Sequence, residues 1–213
     1  MAITQTAWTQ ELMDSGFRLG ELPCLPSHGS DDNITAWCGE ESVTQTLSLS
    51  SGTNWVSFYV ETELDDLKAA LVAALPDTEI TIKGRNQTIK YKNGRWTGQL
   101  TELDLAQMYK ITVSAACEIE LEGMPVDPST LTLAINANEA VWMAFPYTES
   151  MTVASFFGTF PANNDAVKSK EQNSRYQNGR WAGQLGTLVP GQGYIYKSAV
   201  TEDRTFTFPA NAK

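Results

Sequence analysis

The side chains best suited to chemistry are few and scattered. The only histidine of the 213 residues is His28, inside the Pro/Gly-rich run Leu22-Pro23-Cys24-Leu25-Pro26-Ser27-His28-Gly29. A Ser-His-Asp relay would have to pass through that one imidazole, and a loop histidine in a turn-forming run is the simpler reading. Carboxylates come in close pairs, Glu61/Glu63, Asp65/Asp66 and Glu118/Glu120. In a chain of net charge −10 such pairs are expected without catalysis, and glycosidase carboxylates are recognised by separation in space. Asp31-Asp32-Asn33 offers oxygen ligands, but no twelve-residue calcium loop surrounds it. Phosphate loops, nucleophile elbows and H-E-x-x-H helices are missing from the sequence. Cys24 and Cys38 could close a 15-residue loop, and a reduced pair fits equally; with Cys117 the third cysteine, no disulfide framework or zinc cluster emerges. These residues predict a non-enzymatic protein without cofactor or metal.

Residues suited to binding are better organised. Tyr91 to Leu100 reads YKNGRWTGQL and Tyr176 to Leu185 reads YQNGRWAGQL, identical at eight of ten positions with an offset of 85. The repeat means a duplicated module. Asn93-Gly94 and Asn178-Gly179 are the favoured central pairs of a type I′ hairpin turn. A two-residue turn places Tyr91 opposite Trp96 and Lys92 opposite Arg95, and likewise Tyr176 opposite Trp181 and Gln177 opposite Arg180. The aromatic pairs are expected to face inward and fix the hairpin. Arg95 and Arg180, with the turn backbone at Asn93 and Asn178, are the exposed candidates for a repeated contact surface, and Trp96, Trp181, Tyr91 and Tyr176 are the aromatic candidates.

Two modules must carry these hairpins. Leu47-Ser48-Leu49-Ser50 alternates as a half-buried strand does, and Trp55 to Val60 is a second strand. Leu64, Leu67, Leu71 and Leu75 recur at helical spacing, with Thr62 as the expected cap and Pro76 as the stop. Strands follow into the hairpin, then at Met108 to Val113 and Glu118 to Glu122. The order recurs from Leu131: Trp142 and Phe145 take the places of Trp55 and Phe58, Phe156 and Phe160 those of Leu71 and Leu75, and Leu188 to Tyr194 that of Leu103 to Tyr109. The expected division is an irregular N-terminal arm over 1–45 that could dock elsewhere, a first module over 46–125, a linker over 126–129 and a second module over 130–213. The expected fold class is mainly β with minor helix: two tandem β-sandwich- or barrel-like modules, each with one short helix.

The combination of a G-x-N-W-[IV]-S-F strand, a Y-x-x-G-W-x-G-x-L hairpin and an L-x-P-G-x-G-Y turn resembles a β-rich module found, often in tandem, in secreted and surface proteins of Bacteroidetes and related bacteria. The residues that carry it are Gly52, Asn54, Trp55, Ser57 and Phe58; Trp96, Gly98 and Leu100; Trp181, Gly183 and Leu185; and Leu188, Pro190, Gly191, Gly193 and Tyr194. The first copy departs at the third motif, where Ala106 and Met108 replace the two glycines; the second departs at the first motif. The resemblance implies an extracellular, non-catalytic role in adhesion or display, with a protein or a glycan on a cell or particle surface as partner. A phage virion decoration or fibre protein anchored by its N-terminal arm is the alternative, and an accessory module of a secreted hydrolase a further one. Homo-oligomers are compatible with modules this small.

Composition sets outer bounds. The longest apolar run, Ala69 to Leu75, is too short to span a bilayer, and the N-terminus has no basic start or apolar core of a secretory signal. A net charge of −10 argues against nucleic acid, whose binding requires a basic footprint.

Overall fold

The computed structural model describes residues 41–137 and 139–210. The arm expected over 1–45, with Cys24, Cys38 and His28, lies almost entirely outside the described residues. The fold is mainly β with a minor helical share, as the alternation of apolar and polar residues predicts.

In the first copy β1 (Val43–Leu49) pairs antiparallel with β7 (Cys117–Gly123), Leu47 opposite Ile119 and Leu49 opposite Cys117. Glu118, Glu120 and Glu122 alternate outward from this ribbon while Ile119 and Leu121 are buried. A five-stranded antiparallel sheet is built from β2 (Gly52–Val56), β3 (Ile80–Lys83), β4 (Thr88–Lys92), β5 (Arg95–Gly98) and β6 (Tyr109–Val113), in the order β2-β6-β3-β4-β5. Between β2 and β3 runs α1 (Leu64–Ala74), whose Leu64, Leu67 and Leu71 are buried on the inner face of that sheet together with the ribbon's leucines and isoleucines. Its cap is Glu63, one residue beyond the Thr62 expected, because Asp66 accepts the Glu63 N–H at 3.4 Å.

The second copy repeats the order. β8 (Thr132–Ile135) pairs with β16 (Arg204–Thr207), and β9 (Ala140–Met143), β15 (Tyr194–Lys197), β11 (Ala166–Lys168), β12 (Asn173–Gln177) and β13 (Arg180–Gly183) form the five-stranded sheet in that order. α2 (Val153–Phe157) is short, and a small extra ribbon of β10 (Met151–Thr152) and β14 (Thr187–Leu188) flanks it. The core here is aromatic, with Phe145, Phe156, Phe157, Phe206 and Phe208 in mutual contact. The shorter helix is offset by larger side chains. The stretch between the copies is not a free spacer: Val126 N–H donates to Tyr59 O, Glu61 N–H to Met124 O, and Pro125 bridges to Val60.

One internal difference between the copies is chemical. Ile80, Ile111, Val113 and Cys117 of the first correspond to Asp165, Tyr196, Ser198 and Arg204 of the second. The Asp165 carboxylate is fully buried and accepts from the Tyr196 hydroxyl, from Ala199 N–H at 2.7 Å, from Ala162 N–H at 2.8 Å and from Arg204 Nη2 at 2.6 Å. Burial alone would raise this carboxyl's pKa; the hydrogen bonds outweigh it and hold the group below its ordinary range. Burial likewise pushes the Tyr196 hydroxyl up. The duplicated fold thus tolerates either an apolar or an ionic cluster at the same position, with donors meeting the Asp165 carboxylate although the buried Arg204 Nε has no partner among the described residues.

Candidate functional site

The hairpins have the expected geometry. Asn93 and Asn178 sit at φ of 52° and 51°, Gly94 and Gly179 at 77° and 81°, the left-handed pair a type I′ turn requires. Tyr91 faces Trp96 and Tyr176 faces Trp181, with ring centroids 5.2 and 5.4 Å apart. The indoles turn to the core side: Trp96 packs against the first core, and Trp181 lies on Phe157 at 5.2 Å. Arg95 and Arg180 are exposed. Lys92, opposite Arg95, is neutralised by Glu79, and the Lys92 hydrogen bond and charge hold the Glu79 carboxyl below its ordinary range. The second glycine of each motif has its own reason. Gly98 and Gly183 lie at φ of 140° and 147°, and a Cβ there would stand 2.2 Å from Thr88 O and 2.3 Å from Asn173 O.

The structure does not bring the two tips together. Each hairpin forms the outer edge of its sheet, and the strands on the opposite edges, β2 and β9, carry the residues where the copies meet. Among the described residues no hydrogen bond or ion pair joins one tip to the other.

The meeting of the copies is reciprocal. Ser57 N–H donates to Gly191 O at 3.0 Å, and Ala144 N–H donates to Ala106 O at 3.0 Å. Ser57 corresponds to Ala144, and Gly191 to Ala106. Each copy therefore uses the same backbone donor on the other's same acceptor, the signature of a twofold relation within one chain. Close to such an axis a residue meets its own counterpart. Here the counterparts are Met108 and Gly193, and a Cβ on Gly193 would lie 2.5 Å from the Met108 Cβ. Two methionines would collide, so a methionine from one copy fills the space a glycine leaves in the other. This accounts for Met108 at the position of the second glycine of L-x-P-G-x-G-Y. The tyrosine that ends the motif is kept in both: Tyr109 OH accepts from Asp104 N–H at 2.6 Å and Tyr194 OH from Val189 N–H at 2.7 Å, and burial pushes each hydroxyl up to about 12.

On the solvent side of this seam lies a group that the sequence does not announce. Trp55 and Trp142, counterparts on β2 and β9, enclose Lys110 of β6, whose Nζ is 4.7 Å from one ring centroid and 4.4 Å from the other. Lys168 stands 5.9 Å from the Trp55 ring. Lys83 is paired with Lys110 in the sheet and shares its outward face. Partial burial lowers the Lys110 pKa, and the Lys83 and Lys168 charges lower it further. None of the three lysines has a carboxylate within ion-pair distance among the described residues.

Beside this group the two copies leave a cleft of about 870 Å³. Its wall includes Trp55, and its lining is rich in amides and hydroxyls, among them Asn54, Gln172, Gln184, Gln192 and Ser48. The β3–β4 turn of the first copy is tied to the second by Arg85 and Glu139. The counterpart turn carries Lys170, which lines the cleft beside Glu171 and has no ion pair among the described residues.

No family model, curated protein or solved structure matches the chain. The described residues contain no cluster of three metal-ligating side chains and no helix long and apolar enough to cross a membrane.

Proposed function

We propose that this is a non-enzymatic adhesion protein, displayed outside the cell, that binds a cell-surface glycan in the cleft between its two copies. The observation that carries the reading is the cleft itself, an open, polar, 870 Å³ groove with Trp55 in its wall. A pyranose ring has an apolar face of C–H groups that packs on an indole, and a rim of hydroxyls that pairs with amide and hydroxyl side chains. Neighbouring Asn, Gln, Ser and Thr groups match that rim, and each can act as donor or acceptor without a change of charge. A pocket for an apolar ligand would be lined otherwise. The fixed relation of the copies preorganises the groove, which lowers the entropic cost of binding.

The hairpin tips, with Arg95 and Arg180, belong in this reading to the exposed ends of the molecule rather than to its binding groove. The test is a glycan array probed with the full chain and with Trp55→Ala. Binding to a defined glycan set that Trp55→Ala weakens at least about tenfold supports the reading. Full retention by Trp55→Ala, or no glycan bound at all, overturns it.

A further inference from the structure

The net charge of −10 conceals a segregation. The ten strands of the two five-stranded sheets contain no Asp or Glu. On their outward faces stand Lys83, Lys90, Lys92, Arg95 and Lys110 in the first copy and Lys168, Arg175, Arg180 and Lys197 in the second. That is nine of the fifteen basic residues of the chain, and among the described residues only Lys92 of the nine is neutralised in an ion pair. Among the described residues the acidic side chains lie on the β1–β7 ribbon, the helix start and the loops, Glu171 of the β11–β12 turn among them. We infer that the basic outer face, centred on Lys110 between Trp55 and Trp142, binds an acidic polysaccharide, one carrying carboxylate or sulfate groups along the chain. The inference rests on the glycan reading above and adds the chemical class of the glycan.

Three observations point the same way. Lys83, Lys110 and Lys168 are held close enough to repel one another, and such an arrangement is relieved by an anion seated among them. The lysines are spaced by hydroxyls: Thr53, Thr81, Thr88 and Thr112 share the first copy's face with Lys83 and Lys110. A uronate or sulfated sugar chain alternates charge with hydroxyls in the same manner. The face also adjoins the polar cleft through Trp55, so one chain can lie across the lysines and continue into the groove.

Nucleic acid fits less well. It places a charge at every phosphate, whereas threonines separate the lysines here. A long duplex would also extend beyond the basic face onto a molecule that is acidic overall.

The experiment titrates the full chain with polygalacturonate, chondroitin sulfate, dextran, laminarin and an oligothymidylate at two ionic strengths. It is repeated with Lys110→Gln and with the triple variant Lys83→Gln/Lys110→Gln/Lys168→Gln. Circular dichroism confirms the fold of each variant, and Lys68→Gln on α1 serves as the control. The expected result is preference for the acidic glycans, weakening with salt, an about tenfold loss for Lys110→Gln, about a hundredfold or more for the triple variant, and none for the control. Binding of the neutral glycans as tightly as the acidic ones, unaffected by the triple variant, overturns this inference and leaves the glycan reading intact. No binding to any glycan overturns both. Tighter binding of the oligothymidylate than of either acidic glycan overturns the inference in favour of nucleic acid.

Discussion

Replacing Asp165 by asparagine isolates the energetics of the buried ionic cluster with almost no change of shape. The carboxylate meets four donors, and an amide can serve at most part of them while turning its own NH2 group toward another. Arg204 then keeps its charge with a side chain only 20% exposed. Removing one member of a buried pair costs about 3–5 kcal/mol, and the partial exposure of Arg204 places the expected loss at the lower end, about 3 kcal/mol. In a unit of this size that corresponds to a fall in Tm of roughly 6–12 °C. The Asp165 pKa is lower in the folded state than its ordinary value of 3.8. Its stabilisation is therefore complete above that ordinary value and disappears as pH falls through the lower folded one. Guanidinium unfolding followed by tryptophan fluorescence, at pH 7 and stepwise down to pH 2.5, measures both effects. Asp165→Asn should lie about 3 kcal/mol below the wild type at pH 7, with the gap closing toward pH 2.5. The double variant Asp165→Asn/Arg204→Met should cost about 2 kcal/mol less than the two single changes added together. A cost under about 1 kcal/mol at pH 7, with an unchanged pH profile, would refute the reasoning.

Other outcomes follow from the same geometry. Gly98→Ala and Gly183→Ala each drive a Cβ into a backbone carbonyl of the neighbouring strand, and each should cost more than about 2 kcal/mol in chemical denaturation, whereas Gly186→Ala, with open space around it, should cost under about 1. Gly193→Met sets a second methionine against Met108, and small-angle scattering should detect separation of the copies; Met108→Gly with Gly193→Met exchanges knob and hole and should recover part of the loss. Glu139→Gln removes the partner of Arg85 across the seam, and proteolysis of the seam segments should accelerate severalfold while glycan affinity changes less than about threefold.

Much of the fold is written in local sequence. The Asn-Gly pairs specify their turn because few other residues accept positive φ at both positions, and the register then follows without further information. The leucines of α1 and the alternation of β7 are equally local. What local sequence could not give is the relation of the copies. Met108 against Gly193 is intelligible only once a twofold axis passes between them; in the sequence it is merely an imperfect motif. The repeated tips looked like one surface because they share a sequence, but strand order sends them to opposite sheet edges from the seam. Net charge is silent on how the charges are distributed. It averages over the molecule, whereas the period of two along each strand sorts Lys83, Lys90, Lys110 and Lys168 onto outward faces. That sorting was legible in principle from the alternation around Ile80 to Lys92, where every outward residue is threonine or lysine.

The tryptophans provide the most direct test of where the ligand sits. In a 1H–15N titration of the full chain with oligogalacturonate, the indole signals of Trp55 and Trp142 should shift progressively and saturate together, while those of Trp96 and Trp181 in the hairpins stay in place. Movement of Trp96 and Trp181, with Trp55 and Trp142 unchanged, would contradict the seam as the binding site and return the function to the hairpin tips.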